Sequence, residues 1–169
     1  MNTPIYNFFT EDHRRVEDLL ERATRDIEHI DLTLYNEFRK SLLTHIKMEE
    51  KILFPAAQMA NNGQQLPLQA QLRLEHGAIT TLMVPTPDKD LVKVIKYILE
   101  KHDELEEQEG GMYEVCEKLT QEQTEEIIAK LQETTIVPVH PHNDAEYAMQ
   151  AAKRCLQRAG YDYEEIVAM

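Results

Sequence analysis

The sequence predicts an all-α protein: an antiparallel up-down-up-down four-helix bundle over residues 1–119, with a C-terminal helical extension over 120–169 packed on the same domain. Three observations predict it. Apolar residues recur at three-four spacing through four long segments, the period of a helix with one buried face. Breakers are few, 5 Gly and 7 Pro in 169 residues, so long helices with few interruptions are expected. The connections between the periodic segments are short, which makes successive helices antiparallel neighbours.

Thr3-Pro4 reads as an N-cap followed by proline at the first helical position. The first helix should run to about residue 28, with Phe9, His13, Val16, Leu20, Ala23 and Ile27 on one face. Asp31 can cap the second, whose stripe is Tyr35, Phe38, Leu42, His45, Glu49, Ile52 and Ala56. Pro55 should kink or loosen that helix near its end, and Asn61-Asn62-Gly63 should stop it. A third helix is expected to open at Leu66-Pro67 and carry Leu68, Leu72, His76, Ile79 and Met83 as far as the turn PTPD. The fourth starts near Asp88 with Leu91, Ile95, Ile98, His102 and Glu106 in register. Gly110-Gly111 interrupts it before it resumes through Leu119. Thr120 with Gln123, and Asn143 with Glu146, resemble capping boxes that start two further helices, and Gly160 fits the stop of the last. These two helices are expected to cover one face of the bundle or to mediate a homodimer.

A net charge of −13 argues against nucleic acid or an anionic membrane as partner. No apolar run approaches the ~18–20 residues that span a bilayer. The start, MNTPIYNFFTEDH, lacks the basic and apolar stretches of a signal peptide, so a cytoplasmic protein is expected. Cys116 and Cys155 form no CxxC or CxxCH motif, which argues against a disulfide framework, a zinc knuckle or covalent haem.

Two stretches break the apolar pattern in the same way. HIKMEEKILFP (45–55) and HDELEEQEGGMY (102–113) both contain His-x-x-x-Glu-Glu, with the histidine and first glutamate on the face a helix should bury. His13 and His76 occupy the corresponding stripes of the other two helices. The midpoints of 13 and 45, of 45 and 76, and of 76 and 102 fall at positions 29, about 61, and 89, each at an expected turn. Residues equidistant from a turn sit at equal height in antiparallel helices, because each residue rises ~1.5 Å. His13, His45, His76 and His102 should therefore share one layer, with Glu49 and Glu106 one turn along from their histidines. Buried carboxylates need a cationic partner, and no Lys or Arg lies on these stripes. A metal satisfies every group at once. Imidazole with carboxylate suits iron, manganese or zinc, and the lack of thiolate removes the strongest signature of structural zinc. Two carboxylates among four histidines suit two ions, each carboxylate bridging, at the ~3.5–4 Å separation of paired sites.

These motifs resemble the hemerythrin-like (HHE cation-binding) domain family: a lone His, His-x-x-x-Glu, a His, and His-x-x-x-Glu/Asp on four successive helices. Here the four are EDHRRVEDLL, HIKMEEKILFP, EHGAITTLM and HDELEEQEGGMY, so the resemblance covers roughly residues 5–115. Ferritin-like bundles also hold two irons, but their Glu-x-x-His signature is absent. The resemblance implies a carboxylate-bridged, non-haem centre of two Fe ions, with Zn or Mn as substitutes. His13, His45, His76 and His102 would be terminal ligands, and Glu49 and Glu106 bridges. Oxygen carriers of the family have His-x-x-x-His on the third helix, and here the second position is Thr80. Glu109, seven residues after His102, could replace the missing ligand, as could water or an exogenous molecule.

Other residues have plainer readings. Glu50 and Glu107 point about 100° away from Glu49 and Glu106 and are expected to be solvated. His29 should be a surface residue, and His140-x-His142 part of a proline-rich loop. Tyr35 and Tyr113 are expected to be core packing, though either could donate a hydrogen bond to a bound ligand or carry a radical. The leading functional expectation is a protein that binds or senses O2, NO or redox state. The alternatives are a di-iron enzyme or iron donor acting in NO or peroxide detoxification or iron–sulfur repair, an iron storage or sensing module, and a metal-free interaction module. The sequence leaves open whether the site turns over.

Overall fold

The computed structural model describes residues 3–169, which are all-helical with no strand among them. Residues 1 and 2 of the expected bundle lie outside the described residues. Helix α1 spans Pro4–Ala23, α2 Leu32–Met48 and α3 Phe54–Ala60, the last two joined by a π-helical turn, Glu49–Leu53. Then follow α4 (Gln69–Leu82), α5 (Lys89–Glu107), α6 (Met112–Leu119), α7 (Thr124–Gln132), α8 (Glu146–Arg158) and a short α9 (Tyr163–Val167).

Asp31 caps α2 as expected, and Asp88, near the expected start of the fourth helix, caps α5; they accept from the N–H groups of Leu34 and Leu91 at 3.1 and 2.8 Å. Thr3 makes no side-chain cap at α1. The carboxylate of Glu117 on α6 takes over, accepting from Tyr6 N–H at 3.0 Å and from Ile5 N–H at 3.4 Å. The helix is loosened just before Pro55, as expected, and continues past it to Ala60. The N–H of Phe54 reaches back five residues to the Glu49 carbonyl, and the widened turn keeps the chain helical through a residue with no N–H to give. Helix α4 opens at Gln69 rather than at Leu66-Pro67. Neither expected capping box forms. Thr120 Oγ1 donates to the Cys116 carbonyl, and Asn143 Oδ1 accepts from Ala145 N–H. Gly160, at φ +98°, stops α8 as expected of it, but α8 is not the last helix, because α9 follows.

The core is divided into two apolar clusters, and the order in which each long helix visits them alternates. Helix α1 passes from Phe9 in one cluster to Val16 in the other, while α2 passes back from Leu42 to Met48. Helix α4 goes from Leu72 to Ile79, and α5 from Ile98 towards Met112 of α6. In each passage a histidine separates the two: His13, His45, His76 or His102. The C-terminal segments complete the same clusters. Ala152 and Leu156 of α8, which packs along α4, join the first cluster, and Ile127 and Leu131 of α7 join the second. Residues 134–144 run as an irregular strap beside α2, pinned by Val137 N–H to Thr44 Oγ1 and by Arg39 Nη2 to the His140 carbonyl, both 3.0 Å.

Candidate metal centre

Six side chains meet in the layer between the clusters, and all six are buried: His13, His45, Glu49, His76, His102 and Glu106. They form two groups whose ligand atoms lie mutually within 4.8 Å: His13, His45, Glu49 and Glu106, and Glu49, His76, His102 and Glu106. The same two carboxylates belong to both groups. Within the first, His13 Nε2 is 3.3 Å from Glu106 Oε1 and His45 Nε2 is 3.5 Å from Glu49 Oε2. Within the second, His76 Nε2 is 3.0 Å from Glu49 Oε1 and His102 Nε2 is 3.2 Å from Glu106 Oε1.

The arrangement passes a test of fit to cations. Glu49 Oε1, Glu106 Oε2 and His76 Nε2 are buried without a hydrogen-bond partner among the described residues. Glu49 Oε1 and His76 Nε2 approach each other to 3.0 Å, yet not with hydrogen-bond geometry, as two atoms aimed at a common third point would. Ligands about 2.1 Å from one ion and at right angles around it lie about 3 Å apart, which is the spacing seen across both groups.

Each imidazole presents Nε2 inward because a carboxylate holds its Nδ1. Asp12 of α1 engages His45 of α2 at 2.7 Å, and Glu50 of the π turn engages His76 of α4 at 2.8 Å. Glu75 of α4 engages His102 of α5 at 2.8 Å, and Glu107 of α5 engages His13 of α1 at 2.8 Å, which closes a ring around the four helices. Such partners fix the tautomer and orientation of a ligating imidazole. Glu50 and Glu107 are therefore not the solvated residues expected: they are 18% and 20% exposed, and each also pairs with an arginine, Arg73 and Arg14. Asp12 and Glu75 were not singled out by sequence reasoning. Their signal is adjacency, because Asp12-His13, Glu49-Glu50, Glu75-His76 and Glu106-Glu107 each place an acid beside an inward-facing residue.

The electrostatics follow from this crowding. Burial opposes a charge on His13, but hydrogen bonds to Glu106 and Glu107 outweigh it and carry the imidazole up to about 11. Burial also opposes a charge on His45, and the Glu49 carboxylate beside it raises it to about 9. His102 is held well above its usual value, against burial, by Glu106. Glu49 is held well below the carboxylate range, again against burial, by the charge of His45. These directions favour protonated imidazoles beside the buried carboxylates while no metal is bound. Metal ions would replace those protons and release them.

Glu109, the expected substitute ligand, is not in the site. Helix α5 ends at Glu107, so the helical face projected onto position 109 no longer exists there, and Glu109 is exposed. Thr80 Oγ1 donates to the Gly77 carbonyl at 3.1 Å. Tyr35 packs in the first apolar cluster, as expected. Tyr113 does more than pack: its hydroxyl donates to Glu49 Oε2 at 2.6 Å and sits 3.0 and 3.1 Å from Nε2 of His13 and His45. His29 and His140 are exposed, and neither they nor His142 join a group of metal-ligand spacing. A groove of about 570 Å³ between α1 and α5 reaches Asp103 and Glu107, beside His13. A larger cleft of about 1390 Å³, between the start of α1 and α6–α7, meets the site's surroundings at Tyr6 and Glu107. No described helix is long and apolar enough to cross a membrane.

Residues 4–85 match the family model described as the Hemerythrin HHE cation binding domain. That stretch runs from α1 through α4 and contains His13, His45, Glu49 and His76, so the resemblance read from the motifs holds over it. Neither a curated protein nor a solved structure matches the chain.

Proposed function

Starting from its match to a cation-binding domain, we propose that this chain is a non-haem di-iron protein whose centre binds or senses a small diatomic ligand, O2 or NO. In this reading Glu49 and Glu106 would serve both ions, with His13 and His45 holding one and His76 and His102 the other. The observation that carries it is the overlap of two buried four-residue groups in the same pair of carboxylates. Imidazole with carboxylate and no thiolate suits iron, manganese or zinc, and the resemblance to the hemerythrin domain selects iron among them. When bound, the ions would supply redox chemistry and open coordination positions.

The chain's own residues hold and shield that site. The carboxylates on Nδ1 fix each imidazole. Phe54 stacks over His76 with ring centroids 6.2 Å apart, and Phe9 meets His45 edge-on at 5.4 Å, so the second cluster shields the layer from its side. We read the scaffold as an up-down-up-down bundle of α1, α2 with α3, α4 and α5, with residues 120–169 as an extension of the same domain. The alternating passage of these helices between the two clusters supports that reading.

Elemental analysis and an optical spectrum of protein made with ample iron test it. About two irons per chain and an oxo-bridged diferric absorption are expected. After reduction, O2 or NO should change the spectrum reversibly, consuming about one equivalent. Continued consumption would identify turnover instead, and protein that takes up no iron would overturn the proposal.

A further inference from the structure

Tyr113 carries an inference that deepens the di-iron reading and rests on it. Its hydroxyl is fully buried and touches every member of one group: Glu49 Oε2 at 2.6 Å, His13 Nε2 at 3.0 Å, and His45 Nε2 and Glu106 Oε1 both at 3.1 Å. A hydroxyl has one proton to donate and two lone pairs. Four polar neighbours exceed what it can satisfy, whereas four neighbours at about 3 Å are what an oxygen shares with the other ligands of one ion. Of the atoms left without partners, His76 Nε2 belongs to the second group alone, and Glu49 Oε1 lies 3.0 Å from it.

The chain is built to bring this oxygen in. Helix α5 stops at Glu107, and Gly110 takes a positive φ of +75°. A Cβ at Gly111 would lie 2.7 Å from the carbonyl oxygens of Leu105 and Gln108. The turn therefore folds tightly against the end of α5, and α6 begins just in time to direct Tyr113 back at Glu106. The ring is then fixed, stacked on Phe9 at 5.0 Å and met edge-on by Tyr6 at 6.4 Å.

We infer that the Tyr113 oxygen is a ligand, as phenolate, of the ion held by His13 and His45, so that the two metal positions are unequal and the exogenous ligand binds at the His76–His102 position. The ligand missing at Thr80 is thus not replaced on its own side; an extra donor closes the opposite one. Binding forms an oxygen–metal bond and breaks the phenol O–H bond. The proton, donated to Glu49 in the metal-free protein, leaves with the others that metal binding releases to water, and no electron moves.

The ferric, iron-loaded full chain tests the assignment. Wild-type protein should show a visible phenolate-to-iron charge-transfer band. Its resonance Raman spectrum should contain phenolate ring modes that shift when ring-deuterated tyrosine is incorporated. Tyr113→Phe should lose both band and modes while keeping about two irons per chain. Two bound irons with no phenolate modes in the wild type, or modes that persist in Tyr113→Phe, would overturn the assignment and leave the di-iron reading standing. Wild-type protein that binds no iron would overturn both. The labelled wild-type spectrum decides the matter even if the variant fails to fold.

Discussion

Each imidazole in this layer is aimed by a carboxylate that lies off the inward-facing stripe of its own helix. Adjacent positions on a helix differ by about 100°, so Glu50 turns away from the direction of Glu49. In a single helix that direction is water. Here it is the neighbouring helix, and the carboxylate meets Nδ1 of His76 at 2.8 Å. The same rotation explains Asp12, Glu75 and Glu107. The inward-facing residues were legible from one helix at a time, whereas their partners depend on the angle between two helices. Glu50→Gln keeps size and burial but loses the charge that orients His76. It should lower metal affinity ~10–100-fold, the usual effect of such partners. Chelator competition measures this, and an affinity equal to wild type would mean that the Glu50–His76 contact does not tune the site.

Helix ends, more than helix interiors, decide what surrounds the centre. The three-four stripe predicted four long helices, and local signals predicted the cap at Asp31 and a helix start near Asp88. It did not predict the π turn at Glu49–Leu53, which places a site residue where the hydrogen-bond ladder widens ahead of Pro55. Nor could a stripe projected past the end of α5 find Tyr113 or reject Glu109. The Gly110-Gly111 turn made both decisions, and its geometry is fixed by backbone crowding. Gly111→Ala puts a methyl group against two carbonyl oxygens and should destabilise the protein by ~1–3 kcal/mol, the range for overpacking. Denaturant unfolding of the metal-free variant checks this; an unchanged midpoint would show that the turn relaxes without cost.

At the scale of the whole molecule, the C-terminal segments are part of the core and reach the centre itself. Leu156 of α8 is fully buried in the first cluster. Leu156→Ala should cost ~2–5 kcal/mol, measured by denaturant unfolding, whereas a peripheral extension would show almost no loss. Tyr161, just past α8, donates to Glu75 Oε2 at 2.9 Å, and Glu75 Oε1 holds His102, so the chain's end is one side chain away from a site residue. The sequence by itself determined the helical class, the cap at Asp31 and the six inward-facing residues of the layer, because helical periodicity and equal distance from a turn are properties of position along the chain. Only the tertiary structure decided that Asp12, Glu50, Glu75 and Glu107 hold the imidazoles, that Tyr113 enters the layer and Glu109 does not, and that α8 closes the core. Those outcomes depend on how separate segments meet in space, and no spacing within one segment encodes that.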